Sequence, residues 1–342
     1  MASIKVAHSL HVSTDNQKYY RFYRSIYEKN EPIRRNKMNI VFMGTPAYAT
    51  TILKALLEDL QTNVTLLVTQ EDKPVGRKQL ITPPDTKAFM IQNNYNIDIF
   101  QPKTLRTNEA YTKIAAHKPD FIIVAAYGQI LPKEILSIAP CINLHASLLP
   151  KYRGASPIQS TILANDTYAG VTSMLMEEGL DTGAMLGFSY IASDTHTAPE
   201  LFSLLANRAA NLTLQTLKNF ENLLPLKQVD ANATLCKKIK KEDGEITFTN
   251  LSAQEIVIKA RAFSPWPGVF LPTGMKLHTL RQSDFLSDAP AGTIVAMSKE
   301  SITLTCKEGC IEIDALQPAS KNIMKAREYI LGKRLSLGDT LA

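Results

Sequence analysis

The chain lacks most features that mark secreted, membrane or metal-built proteins. It has no run of 18 or more apolar residues, so no transmembrane helix is expected. Its four cysteines, Cys141, Cys236, Cys306 and Cys310, form no CxxC pair, and no histidine stands near Cys306 and Cys310. A zinc site is not expected from that spacing, and no metal is called for. Few, scattered thiols suit a reducing cytosol and a cytoplasmic protein. No apolar stretch followed by a small-residue cleavage site opens the chain, so no secretory signal is read there. Asp15, Glu28 and Glu31 argue against a mitochondrial transit peptide. Internal repeats and low-complexity tracts are missing too. Gly44-Thr45-Pro46 follows the first predicted strand without the further glycines of a G-x-G-x-x-G loop. A dinucleotide site is therefore not expected.

What is there is ordinary for a soluble globular protein: 45% apolar and 20% charged residues. A length of 342 residues exceeds one ordinary core and predicts two domains. The net charge of +6 is uneven. Residues 1–37 carry 8 Lys/Arg against 3 Asp/Glu, residues 38–207 carry 12 against 15, and residues 208–342 carry 18 against 14. Basic flanks around an acidic middle can attract a polyanion, or can be plain surface charge.

Residues 1–37 show no hydrophobic periodicity and read as an N-terminal extension, open to disorder. From Met38 the pattern alternates. Short apolar strands are predicted at 40–43, 64–69, 121–126 and 141–145, with a helix over 47–60. Such strands between helical segments indicate βαβ units and a parallel sheet. A helix over 155–164, strands at 170–176 and 185–191, and a long helix over 198–223 complete this section. The character changes at Pro225. A lysine run, Lys237, Lys238, Lys240 and Lys241, precedes a predicted helix over 252–262 with Ser252 as N-cap and Glu255 three residues on. Short strands at 292–297, 301–306 and 310–316 then suggest a small barrel. The domains read as 1–37, 38–224 and 225–342.

Chemistry concentrates in two stretches. In Asn143-Leu144-His145 the strand period puts Asn143 and His145 on one side, at the end of the strand where open α/β sheets place ligands. A carboxamide donor beside an imidazole can hold a developing oxyanion and move a proton. A histidine at a strand end can equally be structural. Ser147 through Gly154 then form a loop stiffened by Pro150 and, beyond it, Pro157. The second stretch is Gly179-Leu180-Asp181-Thr182-Gly183. It is either a plain turn or a carboxylate that orients and charges a histidine, and spacing does not choose.

Taken together, Asn143-x-His145, the loop Ser147-Leu148-Leu149-Pro150-x-Tyr152-Arg153-Gly154-Ala155-Ser156-Pro157 and Gly179-Leu180-Asp181-Thr182-Gly183 resemble the folate-dependent formyltransferase family in order and separation. The resemblance implies Asn143, His145 and Asp181 as the catalytic trio, and Ser147, Leu148, Leu149 and Pro150 as lining of a folate pocket. It implies a Rossmann-like α/β catalytic domain followed by an OB-like β-barrel, with 10-formyltetrahydrofolate as cosubstrate and no metal. Four further segments look like the branch of that family that formylates methionyl initiator tRNA. They are Val41 to Pro46, Thr69-Gln70-Glu71-Asp72-Lys73-Pro74-Val75-Gly76-Arg77, and Arg261 to Gly268 with Leu316 to Lys321. The resemblance covers Met38 to the end. Initiator methionyl-tRNA is then the acceptor, held by Arg77, Lys78, Lys237, Lys238, Lys240 and Lys241, with no membrane partner and a monomer as the default. Lys78-Gln79-Leu80 departs from the pattern in being shorter and less basic. The lysine run can also be a solvated linker, and Trp266 reads as a packing anchor rather than a stacking platform. Rival readings are a glycinamide or sugar-amine formyltransferase, a formyl-folate hydrolase, and a non-enzymatic RNA-binding protein with a degenerate site.

Overall fold

A run of apolar residues buried on both faces marks the centre of the first sheet. In β1 (Met38–Gly44), Ile40, Val41, Phe42 and Met43 are wholly buried. Continuous rather than alternating burial is what a parallel strand between helical layers shows. Each such side chain contributes roughly 1.5–3 kcal/mol on leaving water. The computed structural model describes residues 5–6, 37–76, 78–193 and 195–341. The predicted N-terminal extension lies outside the described residues except for Lys37 and the two-residue strand Lys5–Val6.

After β1, helix α1 (Ala47–Glu58) buries Tyr48, Ala49, Ile52, Leu53 and Leu56, one face at helical spacing. Strand β2 (Thr62–Val68), a hairpin of Lys73–Val75 and Leu80–Thr82, helix α2 (Asp85–Gln92), β3 (Asp98–Phe100) and α3 (Asn108–Ala116) follow. Then come β4 (Phe121–Ala125), β5 (Cys141–His145), helix α4 (Pro157–Leu163), β6 (Tyr168–Leu175), β7 (Met185–Ala192) and α5 (Ala198–Asn219). The sheet order is β7-β6-β5-β4-β1-β2-β3, with Lys5–Val6 on the far side of β7. The five strands from β5 to β3 are parallel to one another. Strands β6 and β7 join antiparallel, β6 against β5 with Thr172 facing His145. The sheet is therefore parallel from β5 to β3 and antiparallel from β5 through β6 to β7.

Chain contacts divide the molecule into two compact units. One holds the sheet, formed by residues up to Pro157 with Tyr168–Ala192 and Leu201–Cys236. The other is made of Ile158–Thr167, Ser193–Glu200 and Lys237 onward. In the second, helix α6 (Ala253–Ala262) is capped by Ser252, whose hydroxyl accepts from the Glu255 N–H while the Glu255 carboxylate accepts from the Ser252 N–H. Strands β8 (Val269–Phe270), β9 (Lys276–Ser283), β10 (Ile294–Met297), β11 (Ile302–Thr305), β12 (Cys310–Gln317) and β13 (Met324–Lys325) precede helix α7 (Ala326–Gly332). They form an antiparallel sheet in the order β8-β9-β12-β11-β10, with β13 beside β12. Ile256, Leu277, Ile294, Ile302, Leu304, Ile311, Ile313 and Ile330 build its core. Trp266 does not pack there: it is 56% exposed, while Phe263 and Pro267 on either side are the buried members.

Candidate active site

The chain runs β1 to β3 in one direction across the sheet and β4 to β5 in the other. Open α/β sheets place ligands beside such a reversal, at the carboxyl ends of the central strands. His145 is the last residue of β5, with Asn143 two residues before it on the same side. Both are buried, at 9% exposure for Asn143 and 6% for His145. Leu144 between them is tied from the other side: the Tyr48 hydroxyl of α1 donates to its carbonyl at 3.3 Å. Burial pushes the Tyr48 phenol well up, which keeps that donor protonated.

The third predicted residue arrives from the loop between β6 and β7. Asp181 Oδ1 lies 3.4 Å from Asn143 Nδ2, and Asp181 Oδ2 lies 3.7 Å from His145 Nδ1. Oδ2 also accepts from the Gly154 N–H at 2.8 Å. One carboxylate thus faces the carboxamide, the imidazole and a backbone donor. Asp181 has φ = 53°, a left-handed conformation that costs a non-glycine residue about 1 kcal/mol or more. His145 Nε2 is 2.8 Å from the Tyr152 carbonyl oxygen. A carbonyl only accepts, so Nε2 carries the proton in this geometry and Nδ1 is the nitrogen turned toward Asp181.

The loop after β5 is held along its length. Thr172 of β6 donates to the Ser147 carbonyl at 2.7 Å and accepts from the Leu149 N–H at 3.0 Å. The Ser147 hydroxyl donates to the Lys151 carbonyl at 2.6 Å. Arg153–Gly154 pairs in parallel with Leu235–Cys236. Gly154 sits at φ = 125°, and a Cβ there would overlap the Cys236 carbonyl oxygen. The Cys236 thiol donates to the Tyr152 carbonyl at 3.2 Å, the same oxygen that receives His145.

The residues assigned to a folate pocket stand directly after His145. Ser147 and Leu149 are buried, and Leu148 packs over Gly170 of β6, where a Cβ would meet its side chain. Of the residues assigned to tRNA, Arg77 lies outside the described residues, and Lys78 is exposed in the hairpin turn. Lys237, Lys238, Lys240 and Lys241 are all exposed. Sequence reasoning missed Gln228 and Thr172, and gave Arg153 and Cys236 no role. Gln228 Nε2 donates to the carbonyls of both Asp181 and Gly183 at 2.8 Å. Nothing local marked it: a lone glutamine after Pro225 carries no pattern, and its partners lie 45 and 47 residues away.

Two family profiles match the chain. That of formyl transferases covers residues 38–215, and that of the formyl transferase C-terminal domain covers 238–334. A methionyl-tRNA formyltransferase of Campylobacter lari is 54% identical over 303 residues, 89% of this chain and 99% of that protein. One from Nitratiruptor sp. is 52% identical over 89% of this chain and 99% of its own length. Among solved structures, the sugar 3N-formyl transferase WlaRD, seen with dTDP and 5-N-formyl-THF, superposes with a TM-score of 0.59 at 18% identity, over 84% of this chain and all of that one. HypX from Aquifex aeolicus in complex with tetrahydrofolic acid gives 0.57 at 14% identity, over 86% of this chain and 47% of that one. With one profile along the α/β section, a second along the antiparallel section and relatives more than half identical over nearly their whole length, this chain belongs to the formyl transferase family.

Proposed function

We infer that this protein transfers a formyl group from 10-formyltetrahydrofolate to the amine of the methionyl group on initiator tRNA. The observation that carries the reading is the convergence of the buried Asn143 and His145 with Asp181 in one cluster at the carboxyl end of β5. The acceptor follows the relatives of this chain that are named for that reaction. Sugar-amine formyl transferases share the fold, but at 18% identity or less.

When bound, 10-formyltetrahydrofolate supplies a formyl carbon on a nitrogen leaving group. The new bond joins the methionyl amine to that carbon, the old carbon–nitrogen bond breaks, and the proton shed by the amine ends on the departing nitrogen. Negative charge develops meanwhile on the formyl oxygen. Asn143 has a second amide hydrogen besides the one facing Asp181, and donates it there. His145 is committed to the Tyr152 carbonyl through Nε2, so it joins the reaction by exchanging that partner. Asp181 stabilises any proton held on the ring. Each lost oxyanion donor costs about 10²–10³ in rate. Ser147, Leu148, Leu149 and Pro150 take the folate side, on their position immediately after His145. The hydroxyl of Ser147 is spent within the loop, so its part is to set the loop's shape.

The tRNA contacts divide in two. Lys78, next to Arg77 in the sequence, lies in the turn of the hairpin whose apolar residues Val75, Leu80 and Ile81 are all more than half exposed. Lys237, Lys238, Lys240 and Lys241 present four cations that suit phosphate contacts, which position rather than specify.

The test mixes purified protein with 10-formyltetrahydrofolate and methionyl initiator tRNA and measures N-formylmethionine. Parallel reactions contain a nucleotide-linked amino sugar, or no acceptor. Formyl on the tRNA is the expected result. Formyl on the amino sugar alone would move the chain to the sugar-amine class. Tetrahydrofolate released at the same rate without acceptor would make it a hydrolase.

A further inference from the structure

Asp181 needs an explanation the trio does not supply. Its carboxylate reaches three groups from a backbone in the left-handed region, which is uncommon for any residue but glycine. The turn is closed by one side chain. Gln228, 4% exposed, uses both hydrogens of its amide nitrogen, one on the Asp181 carbonyl and one on the Gly183 carbonyl, each at 2.8 Å. The amide orientation is fixed from behind. Gln228 Oε1 accepts from Arg153 Nε at 3.0 Å. Arg153, 6% exposed, is anchored in turn by Asp230 at 2.8 Å. Arg153 immediately precedes Gly154, whose N–H donates to the Asp181 carboxylate. The circuit therefore closes on itself: Gln228 sets the Asp181 backbone, and the residue after Arg153 sets the Asp181 carboxylate.

Gly183 shows how little slack the turn has. A Cβ there would overlap the Leu175 carbonyl, so the turn lies directly against the end of β6. A loop so tightly seated, with its two carbonyls bound by one amide, places a carboxylate more sharply than hydrogen bonds to water would.

We propose that Gln228, locked by Arg153, is the positioning residue that holds Asp181 in register with His145 and Asn143. The proposal rests on the reading of those three as the reacting cluster. It assigns Gln228 no contact with substrate. Its loss should lower turnover through Asp181 and leave donor binding in place.

Two substitutions of similar length test it. Gln228→Met removes all its hydrogen bonds. Gln228→Glu keeps an acceptor for Arg153 and turns the donor pair into an oxygen facing two carbonyls. Each is made in the full chain and again with Asp181→Asn. Folding is checked by circular dichroism, and kcat and KM for 10-formyltetrahydrofolate are measured with methionyl-tRNA. The expected result is a fall in kcat of at least tenfold, toward the about 10²-fold that a misplacement near 1 Å costs. KM for the donor should stay within about twofold, since the folate side is untouched. In the Asp181→Asn background the same substitutions should add less than about twofold, because their target is already disabled. Parental kcat in folded Gln228→Met overturns the proposal. So do losses that multiply with Asp181→Asn, which would place Gln228 in some other task. Failure of both variants to fold also overturns it, making Gln228 a fold element. Asp181→Asn alone judges the trio separately: full activity there removes the trio reading whatever Gln228 does.

Discussion

The loop after β5 and the loop after β2 both leave the carboxyl ends of parallel strands, yet they are built in opposite ways. The first, from Ala146 to Ser156, is tied by Thr172, Gln228, Thr234 and the strand Leu235–Cys236. It buries Ser147, Leu149, Arg153 and Ser156. The second carries the hairpin Lys73–Val75 with Leu80–Thr82, in which every strand residue is exposed. At its base, Lys87 and Gln101 both hold the Asp72 carboxylate. A loop that must hold reacting groups to a fraction of an ångström is over-determined. The hairpin instead leaves Val75, Leu80 and Ile81 in water. On the proposed reading the first loop serves the formyl carbon and the second serves the tRNA.

The sharpest break between the two loops is His145→Ala, made against a substitution at the hairpin tip. On the proposed reading, removing the imidazole should lower kcat by about 10²–10³. The fold should survive, since the pairing of β5 with β6 at His145 and Thr172 runs through the backbone. Single-turnover formylation with circular dichroism checks both halves. Gly154→Ala comes next. The new methyl meets the Cys236 carbonyl at a φ of 125°, so the paired strands must part. A destabilisation of about 1–3 kcal/mol is expected. It should appear as a lower Tm together with a lower kcat, because the Gly154 N–H is a ligand of Asp181. A methyl tolerated with parental Tm and kcat would show that the first loop is looser than its bonds suggest.

These two substitutions also mark what the sequence made legible. That Asn143 and His145 share one side followed from the strand period, because β5 is a regular strand, while their role came only from the resemblance. The apolar runs of β1 and β4 were plain for the same reason. Asp181 could be seen as a candidate but not placed, since a turn between strands has no period to read. The brace behind it was invisible: Gln228 and Arg153 meet across 75 residues, through loops. The hairpin was recognised by likeness and not as strands, because three-residue strands with every side chain in water carry no alternation. Helix α2 was missed on similar grounds. It buries only Thr86 and Met90, so no apolar stripe announces it.

At the hairpin tip, replacing Leu80 and Ile81 by serine should leave Tm near parental, because both side chains are already in water. If the tip engages tRNA, KM for methionyl-tRNA should rise about tenfold, equivalent to roughly 1.4 kcal/mol of lost contact. The rate of formyl transfer at saturating tRNA should hold. A fall in kcat with unchanged KM would instead place the hairpin among the residues that shape the reacting centre, and the contrast between the loops would close.

The smallest effect belongs to the hairpin's base. Lys87 Nζ lies 2.8 Å from Asp72 Oδ2, and Gln101 Nε2 donates to Asp72 Oδ1 at 2.8 Å and to the Gln70 carbonyl at 2.6 Å. The Gln101 hydrogen bond first, and then Lys87, hold the Asp72 carboxyl below its ordinary range. A lowered folded-state value means that the tie is present above the unfolded carboxylate range and lost as pH falls through the folded value. At neutral pH it is complete, so activity near pH 7 should show no titration from this group. Asp72→Asn keeps the size and removes the charge. The pair is open to solvent, so little global stability is at stake. What changes is how well the base aims the tip. KM for methionyl-tRNA should rise by about two- to threefold, well under the tip substitution, with kcat and Tm unchanged. Added to the Leu80 and Ile81 substitutions, Asp72→Asn should contribute nothing further, because a base without a working tip aims nothing. Multiplied losses in that combination would mean that Asp72, Lys87 or Gln101 meets the tRNA directly, and the partner's footprint would then extend from the tip down to the edge of the sheet.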